Sequence, residues 1–511
     1  MPRALLSVYD KTGLDEFARG LAELGWELVA SGGTAAYLSE LGLEVEAVEQ
    51  LTGVAEMLGG RVKTLHPRIH AAILARRDRD DDLATLEEHE IRPFDLVCVN
   101  LYPFTDVVGQ RNVTEADAIE MIDIGGPSML RGAAKNFVHV AAVCRPARYD
   151  EVLDELRANG ELSVATRRSL AAEAFAVTAA YDAAITGWLT GSHALPELLV
   201  LPFEKVTDLA YGENPHQRAA YYAAARGRRH LLSCVDQLHG RELSFNNLND
   251  LNAARTVLRE LSEPACVIVK HANPCGVATA ATIDEAYGHA LAADPLSAYG
   301  GVVVLNREVQ DDLGARIADQ FVEVLLAPGY DENALASLRA KPATRILLDR
   351  ERRAGDPTER TFKRVSGGAL VQDSDAHVED RSDWQLVCGA LDERQWDDLE
   401  FAWRVCKHVL SNAIVIAKAC VTIGIGAGQM SRVDAVRIAV EKAREHGHDP
   451  AGSVLASDAF FPFADGVELA LGAGVAAIVQ PGGSKRDDEV VAAVEAAGAA
   501  MVLTGRRHFR H

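Results

Sequence analysis

The chain is 511 residues long, 48% of its residues are hydrophobic, and its formal net charge at pH 7 is −22. This length allows roughly two to four domains, and the composition excludes a disordered or fibrous protein. The negative charge excludes a general binder of nucleic acids or membrane surfaces, because these need an excess of Lys and Arg. Any anionic ligand must therefore be bound by local cations.

The eight cysteines are scattered, show no CxxC spacing and lie mostly in apolar runs. This pattern is typical of buried free thiols in a reducing compartment. The stretch MPRALLSVYD lacks the apolar core of a signal peptide, and no uncharged apolar stretch reaches the roughly 18 residues of a membrane span. We expect a cytoplasmic soluble protein without disulfides.

Strands and helices alternate in the first part of the chain. ALLSV, WELVA, DLVCVNL and HVAAVC are typical of strands, and GLDEFARGLAEL and TAAYLSEL of helices. The alternation predicts a doubly wound α/β domain with a parallel sheet. An Ala-rich helix is predicted at about 162–190, followed by TGSHALPELLVLPFEKV, whose Gly, Ser and Pro indicate a linker. We place the domain boundary near residue 193, which gives a first domain of 1–193 and a second region of 194–511.

Polar groups follow the predicted strands of the first domain. ASGGTAAYL joins a strand to a helix through two glycines and a Thr, and its backbone N–H groups suit an anion. GGRVKTLHP, NLYPF and MIDIGGPSMLRGAAKN add cations, hydroxyls and a carboxylate, namely Arg61, Lys63, Thr64, Tyr102, Asp123 and Lys135. Because parallel sheets bind ligands at the carboxyl ends of their strands, this set predicts a site for a phosphorylated substrate.

The second region contains a weak internal repeat. CVIVK, a Gly turn, a helix, ADPLSAYGG and VVVL are matched later by AIVIAK, GIGAGQ, a helix, ASDAFFPFADG and VAAIVQPGG. This match favours two related α/β subdomains; the alternative is that any two strand–helix–strand segments resemble each other this much.

KHANPCG, residues 270–276, follows the apolar run PACVIV, which is typical of a buried strand. Lys270 and His271 should therefore emerge at a strand end, where active sites collect, and Asn273 and Pro274 are turn-forming residues.

Five motifs of the first domain, SGGT, RVKTLHP, NLYPF, IDIGG and AAKN, occur in the order found in one known family. They resemble the IMP cyclohydrolase domain of the bifunctional purine biosynthesis proteins (PurH), which has a methylglyoxal-synthase-like fold. The resemblance implies that the following residues surround the nucleotide phosphate: Ser7, Lys11, Ser31, Gly33, Thr34, Arg61, Lys63 and Thr64. It also implies that four residues surround the reacting formyl and carboxamide groups: Lys63, Tyr102, Asp123 and Lys135.

The implied ring closure needs no metal or cofactor. The carboxamide nitrogen attacks a formyl carbon of the same molecule, so the enzyme mainly holds one conformer and stabilises the developing oxyanion. Phe137 departs from the family pattern, because many relatives have His after AAKN, and this makes any role for a side chain at that position doubtful.

Seven motifs of the second region also occur in the order of that family: LAYGENPHQRAA, SFNNLNDLNAA, VKHANPCG, ADPLSAYGG, KHVLSNAIVIAK, GIGAGQMSRVDAV and SDAFFPFADG. They resemble its formyltransferase half, which has two cytidine-deaminase-like subdomains. The resemblance implies formyl transfer from 10-formyltetrahydrofolate to 5-aminoimidazole-4-carboxamide ribonucleotide, followed by ring closure to IMP. It also implies a homodimer with formyltransferase sites between subunits.

The resemblance assigns acid–base chemistry to Lys270 and His271. The substrate amine is a poor nucleophile, so a neutral imidazole should take its proton while the ammonium favours that neutral form and stabilises an oxyanion. It places Asn412 on the formyl oxygen. The other implied binding residues are Tyr211 and Asn247 near the nucleotide, Gly300, Glu323 and Asp465 around the folate, Phe460 against its ring, and Arg507.

Zinc deaminases hold their metal with a His or Cys and a downstream Pro-Cys-x-x-Cys. NPCG has a single cysteine and the chain has no CxxC, so we expect this fold without a metal.

Ala210 is a second departure, because the family has Arg before Tyr-Gly and the resemblance implies that this arginine grips the substrate phosphate. Arg218 and Arg255, in neighbouring segments, are candidates for a substitute cation.

Two alternative functions remain at this point: a monofunctional IMP cyclohydrolase with an impaired second region, and a non-catalytic nucleotide sensor. Both are disfavoured because the residues implied for both reactions are present, and a sensor has no need of acid–base pairs; these residues are Lys63, Asp123, Lys135, Lys270 and His271.

Overall fold

The computed structural model describes residues 1–110, 112–191, 195–225, 234–351, 359–378 and 380–511. The chain divides into two compact units. The first comprises Met1–Glu204 and a short segment that begins at Ala224, and the second comprises Lys205–Ala223 and the described residues from 234 onward. The boundary predicted near residue 193 falls within 192–194, which lie outside the described residues.

Strands and helices alternate in the first unit, as the sequence predicts. The Ala-rich helix predicted at about 162–190 is confirmed as α10. The elements are β1 (Arg3–Ser7), α1 (Leu14–Glu23), β2 (Glu27–Ala30), α2 (Gly32–Glu40), β3 (Val45–Ala47), α3 (Val48–Thr52), α4 (Pro67–Leu74), α5 (Asp80–Glu88), β4 (Leu96–Val99), α6 (Phe104–Val108), α7 (Glu115–Glu120), α8 (Gly125–Lys135), β5 (Ala141–Val143), α9 (Tyr149–Asn159) and α10 (Val164–Thr190).

The five strands of the first unit form one parallel sheet in the order β3-β2-β1-β4-β5. The side chains of β1 alternate between two cores, so that Leu6 packs with α1 and α9 on one face and Leu5 packs with α4 and α8 on the other. This confirms the doubly wound α/β fold. All strands run parallel, but successive strands are added on one side of β1 up to β3 and on the other side from β4 onward. Residues that follow β1 and β4 therefore lie at the switch point where such folds bind ligands.

The elements that follow α10 begin with a two-stranded sheet of β6 and β7, and β14 pairs with β15 in another. The elements are β6 (Phe203–Leu209), β7 (Ala219–Ala224), β8 (Asp236–His239), α11 (Phe245–Leu258), β9 (Ala265–Lys270), β10 (Asn273–Thr279), α12 (Ile283–Ala293), α13 (Pro295–Ala298), β11 (Val302–Leu305), α14 (Asp311–Asp319), β12 (Val324–Ala327), α15 (Glu332–Arg339), β13 (Arg345–Leu348), β14 (Arg360–Val365), β15 (Gly368–Asp373), β16 (Gln385–Cys388), α16 (Glu393–Cys406), β17 (Ile414–Lys418), β18 (Val421–Gly426), α17 (Arg432–Glu445), β19 (Val454–Ser457), α18 (Asp465–Gly472), β20 (Ala477–Gln480), α19 (Asp487–Ala496) and β21 (Ala500–Leu503).

The main sheet of the second unit has twelve strands in the order β16-β21-β20-β19-β17-β18-β10-β9-β11-β12-β13-β8. Each half contains a helix, an antiparallel hairpin, a second helix and three parallel strands joined by helices, and the two halves run outward from the β10–β18 contact in the same order. This arrangement confirms the two related α/β subdomains that the internal repeat predicts.

The two halves meet at a short seam between β10 and β18. Ala278 and Val421 are the paired residues there. The hydroxyl of the buried Thr422 accepts a hydrogen bond from the N–H of Val277 at 2.9 Å and donates one to its carbonyl at 3.2 Å. The Thr422 side chain therefore satisfies the N–H and carbonyl groups of Val277, which the pairing of β10 with β18 leaves without backbone partners. None of the helices in the described part of the chain is long and apolar enough to cross a membrane.

Candidate active sites

The first candidate site lies where β1 ends and α2 begins. Ser7 ends β1, Ser31 precedes the first turn of α2, and their hydroxyl oxygens are 2.6 Å apart. The hydroxyl of Thr34 bonds to both the N–H and the carbonyl of Val8, at 3.1 Å each. Lys11 donates to that same carbonyl and lies 3.5 Å from the Thr34 hydroxyl.

The N–H groups of Gly32 and Gly33 have no hydrogen-bond partner in the described part of the chain. At Gly32 φ is +37°, and a Cβ would lie 2.2 Å from Nζ of Lys63. Only glycine allows this ammonium group to approach the start of the helix so closely. Hydroxyls, free N–H groups and two lysines therefore converge here, and the arrangement suits a phosphate group.

The two cations of the loop before α4 are paired with carboxylates in this structure. Lys63 Nζ lies 2.9 Å from a Glu56 oxygen and 3.3 Å from a Glu49 oxygen. Burial opposes the charge of Lys63, but the hydrogen bond with Glu56 and the charge of Glu49 outweigh it, so the pKa of Lys63 is raised. Arg61 forms an exposed ion pair with Glu120. A bound phosphate would compete with these three glutamates, none of which the sequence motifs indicate.

Tyr102 lies within electrostatic range of both Asp123 and Lys63. The carboxylate of Asp123 accepts a 2.8 Å hydrogen bond from the N–H of Gly126. A Cβ on Gly126 would lie 2.4 Å from the other carboxylate oxygen, so a side chain there would displace Asp123. Burial raises the pKa of Asp123. Burial also raises the pKa of Tyr102, where the charge of Asp123 adds to the effect and the charge of Lys63 opposes it.

Tyr181 on α10 is a residue that the sequence motifs miss. Its hydroxyl accepts a 2.8 Å hydrogen bond from the N–H of Asp123 and donates one of 2.6 Å to the carbonyl of Met121. An isolated tyrosine in an Ala-rich helix gives no sequence signal for this contact. Thr64 is buried, and a Cβ on Gly125 would lie 2.6 Å from its hydroxyl oxygen. Thr64 thus lies beside the start of α8, next to Asp123.

Lys135 is not brought together with Lys63, Tyr102 and Asp123 in a single chain. It is the last of the eleven residues of α8 and is exposed, whereas Asp123 precedes the first turn of that helix. At 1.5 Å per residue, the two ends of α8 are about 15 Å apart. Three of the four residues expected around the reacting groups therefore cluster, and the fourth lies at the opposite end of the helix.

The second candidate site is the hairpin of β9 and β10. Lys270 ends β9, as expected, and His271 follows it on the surface. The turn is formed by His271 and Ala272, with φ of 53° and 60°, and not by Asn273 and Pro274, which begin β10. The prediction that Asn273 and Pro274 form the turn is wrong, because the turn needs positive φ at both central residues and the proline ring fixes φ at about −65°.

Asp250 of α11 holds this turn. Its carboxylate oxygens accept hydrogen bonds from the N–H groups of His271 at 3.3 Å and of Ala272 at 2.7 Å. Lys270 Nζ donates to the carbonyl oxygens of Tyr299 at 2.7 Å and Gly300 at 3.2 Å. The backbone of His271 and the ammonium group of Lys270 are thereby fixed at adjacent positions, and the carbonyl of Gly300 lies beside the lysine.

Tyr211, Asn247 and Glu323 form a connected group. The amide of Asn247 donates a 3.1 Å hydrogen bond to the carboxylate of Glu323, and the carbonyl of Tyr211 accepts one of 3.2 Å from Phe245. Tyr211 and Glu323 line a cavity of about 570 Å³ with Ala210, Arg241, Glu242, Phe321, Ala343 and Arg345. Three residues expected to bind substrate therefore lie at or beside one cavity.

Lys270 and His271 open on a second cavity of about 400 Å³ whose far wall belongs to the second half of the unit. Its lining includes Gln429, which exchanges backbone hydrogen bonds with Asn412, and a polar pair that the sequence did not indicate. In that pair Lys442 bonds to Asp294, which also lies 3.1 Å from His446. Burial opposes the charge of Asp294, but Lys442 outweighs it and lowers the pKa of the carboxyl group.

Asn412 is held firmly by its neighbours. Its amide nitrogen donates to the carbonyls of Gln429 at 2.8 Å and Met430 at 3.3 Å. Its amide oxygen accepts a 2.8 Å hydrogen bond from Arg432, which is itself buried against Asp458. Both ends of the amide are thus occupied within the chain.

The remaining expected residues lie in the second half of the unit. Phe460 is 36% exposed, Asp465 begins α18, and the Arg507 guanidinium lies 4.6 Å from the ring centre of Phe509. Among the described residues, no hydrogen bond or ion pair joins these three to Lys270 or His271. The described residues also contain no group of three His, Cys, Asp or Glu side chains suited to a metal ion.

Two family models match the chain. The MGS-like domain matches residues 13–128, and the AICARFT/IMPCHase bienzyme matches residues 133–442. The bifunctional purine biosynthesis protein PurH of Halalkalibacterium halodurans is 49% identical over 515 residues, which cover 100% of this chain and 99% of that protein. The chain belongs to the PurH family. PurH of Rhodopirellula baltica is likewise 49% identical over 518 residues, which cover 99% of this chain and 98% of that protein.

A solved structure described as "Crystal structure of ForH" is 42% identical and covers 36% of this chain and 95% of its own, with a TM-score of 0.33. The full-length match to PurH proteins shows that the chain is a bifunctional enzyme, a formyltransferase joined to an IMP cyclohydrolase. The formyltransferase activity uses a folate co-substrate. The predicted family, the methylglyoxal-synthase-like first domain and the two activities are confirmed. The monofunctional cyclohydrolase and the nucleotide sensor find no support.

Proposed function

We propose that the chain transfers the formyl group of 10-formyltetrahydrofolate to 5-aminoimidazole-4-carboxamide ribonucleotide at the Lys270–His271 hairpin. The product is then closed to IMP at the strand ends of the first unit. The observation that carries the proposal is the left-handed turn at His271 and Ala272, which Asp250 holds so that an ammonium and an imidazole stand side by side at a cavity.

In the formyl transfer, the amine nitrogen bonds to the formyl carbon while the bond from that carbon to the folate nitrogen breaks. The amine loses one proton and the folate nitrogen gains one. The exposed imidazole of His271 takes the first proton and returns it to the leaving nitrogen. The ammonium group of Lys270, fixed by two carbonyl oxygens, stabilises the oxyanion between these steps.

Four residues of the second half, Asn412, Phe460, Asp465 and Arg507, complete the formyltransferase site in this proposal. Tyr211, Asn247, Gly300 and Glu323 bind the substrates from the first half. Two contacts support this part of the proposal: Gly300 accepts a hydrogen bond from Lys270, and Asn247 donates one to Glu323, which lines a cavity with Tyr211. Because Arg432 and two carbonyls occupy the Asn412 amide, a contact with the formyl oxygen requires Asn412 to exchange one of these bonds.

In the ring closure, the carboxamide nitrogen bonds to the formyl carbon. The formyl oxygen leaves as water with one hydrogen from each nitrogen. The carboxylate of Asp123 accepts a proton from the attacking nitrogen, and its raised pKa makes it a stronger base. Lys63 stabilises the oxyanion and Tyr102 donates a hydrogen bond to it. Ser7, Lys11, Ser31, Gly33, Thr34, Arg61 and Thr64 hold the phosphate.

We also propose a homodimer in the cytoplasm. Lys135 takes part in ring closure in this proposal, and its distance from Asp123 requires the side chain to come from a second chain.

No catalytic metal takes part in either reaction, because NPCG lacks the second cysteine of a zinc site. Chelator should therefore leave both rates unchanged, and loss of activity that zinc restores would contradict this expectation. The division into domains 1–193 and 194–511 belongs to the same proposal.

The proposal is tested by Lys270→Ala and His271→Ala. Each should abolish formyl transfer and leave ring closure of supplied formylated intermediate nearly intact. Lys418→Ala is the matched control, because Lys418 occupies the equivalent position in the second hairpin and also donates to a backbone carbonyl, that of Ala451 at 2.7 Å. Loss of both activities in a folded His271→Ala protein would contradict the assignment.

A further inference from the structure

Of the two arginines that line the cavity of about 570 Å³, one has no partner for its guanidinium group among the described residues. Arg241 and Arg345 both line it, together with Glu242 and Glu323. The buried Arg345 is committed, since it donates to the carbonyl of Glu242 at 2.9 Å and lies 3.5 Å from the carboxylate of Glu323. The guanidinium group of Arg241 has no hydrogen bond or ion pair with any described residue, and it is exposed.

The position of Arg241 is built into the fold. The preceding Gly240 has φ of +97°, and a Cβ there would lie 2.2 Å from the carbonyl oxygen of Thr344. Only glycine permits this approach to β13. The side chain of Gln237 donates a 2.7 Å hydrogen bond to the carbonyl of Arg241 and so closes the turn. The backbone of Arg241 is therefore fixed at the cavity.

Arg241 also lies beside the position where the chain lacks an arginine. The N–H of Ala210 donates a 3.0 Å hydrogen bond to the carbonyl of Leu243, two residues after Arg241, and Ala210 lines the same cavity. The two candidates named from the sequence do not fill this place. Arg255 is buried in an ion pair with Asp349, and the exposed Arg218 is not among the residues that line the cavity.

We propose that Arg241 binds the phosphate monoester of the ribonucleotide at this cavity, in place of the arginine that is missing at position 210. The inference rests on the proposed formyltransferase site, because it uses the cavity that Tyr211 and Glu323 line. The charge of Glu323 is already opposed by Arg345, and its carboxylate accepts a hydrogen bond from Asn247. Glu242 is the remaining carboxylate and weakens the attraction for an anion. The side chains at 241 and 242 therefore set the affinity for the phosphate.

The test measures steady-state formyl transfer with each substrate varied in turn. Arg241→Ala should raise KM for the ribonucleotide about ten- to a hundred-fold, the usual effect of losing one charge-assisted hydrogen bond, and leave KM for the folate unchanged. Glu242→Gln should lower KM for the ribonucleotide. Arg218→Ala is the matched control and should change neither value.

Two further outcomes decide the inference. Ala210→Arg, added to Arg241→Ala, should restore the affinity for the ribonucleotide, and failure to restore it would show that the two positions do not serve the same anion. An increase in KM for the folate alone would assign Arg241 to the glutamate carboxylates of that substrate and overturn the proposal. Unchanged KM values in Arg241→Ala, with formyl transfer abolished in His271→Ala, would overturn this inference and leave the proposed function intact.

Discussion

The carboxylate of Asp250 accepts a hydrogen bond from the backbone N–H of His271, the residue to which we assign proton transfer. The second half of the unit repeats this device without the imidazole. There, Asp398 accepts hydrogen bonds from the N–H groups of Ala419 at 3.0 Å and Cys420 at 2.6 Å, and both residues have positive φ. An aspartate at the equivalent place in each half, Asp250 or Asp398, therefore stabilises a left-handed turn, and only the first turn bears a histidine.

This repetition provides a matched pair of variants. Asp250→Ala and Asp398→Ala should each lower the free energy of unfolding by about 1–3 kcal/mol, because each leaves two backbone N–H groups without their acceptor. Only Asp250→Ala should also lower kcat of formyl transfer, roughly ten- to a hundred-fold, because it loosens Lys270 and His271. Urea unfolding and steady-state kinetics check both effects. Equal kcat values in the two variants would show that the Asp250 turn has a structural role alone.

Ring closure should depend on Lys63 and on Lys135 from different chains. Lys63→Ala and Lys135→Ala should each lower the rate with supplied formylated intermediate by about 100- to 1000-fold, the usual cost of losing one oxyanion donor. Mixed dimers of the two variants contain one site with both lysines, so unfolding and refolding them together should restore activity. Absence of restoration, with dimers present by light scattering, would contradict a contribution of Lys135 from the second chain.

The pKa of Tyr102 should fall when the charge at position 123 is removed. Burial is the largest cause of the raised pKa and persists in Asp123→Asn, but the repulsion between the carboxylate and a tyrosinate is lost. The pKa of Tyr102 should therefore move down toward its ordinary value without reaching it. Carbon-13 NMR of labelled tyrosine, assigned with Tyr102→Phe, measures this shift. An unchanged or increased pKa in Asp123→Asn would contradict the electrostatic coupling.

The second unit should lose stability in acid through Glu260. Burial opposes ionisation, but the hydrogen bond and charge of His408, with the charge of Lys407, outweigh it and lower the pKa of Glu260 to about 2. A carboxyl group whose pKa is lowered on folding stabilises the fold above its unfolded pKa, and this stabilisation declines as the pH falls from about 4.5 to about 2.

The variant Glu260→Gln tests this dependence of stability on pH. At pH 7 the variant should be less stable by about 3–5 kcal/mol, because two basic side chains remain buried without their partner. The difference from the unsubstituted protein should shrink between pH 4.5 and pH 2. Urea unfolding at several pH values measures it, and a difference that is independent of pH would contradict the assignment.

The strands, the Ala-rich helix and the repeat could be predicted from the sequence because each depends on a local pattern of apolar residues. The position of Lys270 at a strand end follows from the same pattern. The turn was misplaced because Asn and Pro are common turn residues, whereas this turn is decided by an aspartate 21 positions earlier in the chain. The separation of Lys135 from Asp123 could be predicted in part, since a helix from Gly125 to Lys135 lies between them.

Other features depend on contacts between distant segments. Lys63 meets Glu49 and Glu56 through the path of an irregular loop, and no residue pattern fixes that path. Arg241 reaches the cavity because β8 pairs with β13, about 100 residues later in the chain. Such pairings decide which cation replaces a missing arginine, and a single sequence does not record them.

The seam between β10 and β18 protects one strand edge of each half. Each half would end in an open strand, β10 or β18, with unpaired backbone groups of the kind that promote aggregation between molecules. Joining the halves at Val277 and Thr422 covers both strands at once, and the remaining edges of the sheet are β8 and β16, each only four residues long. Although the halves are similar, neither is suited to exist as a separate protein.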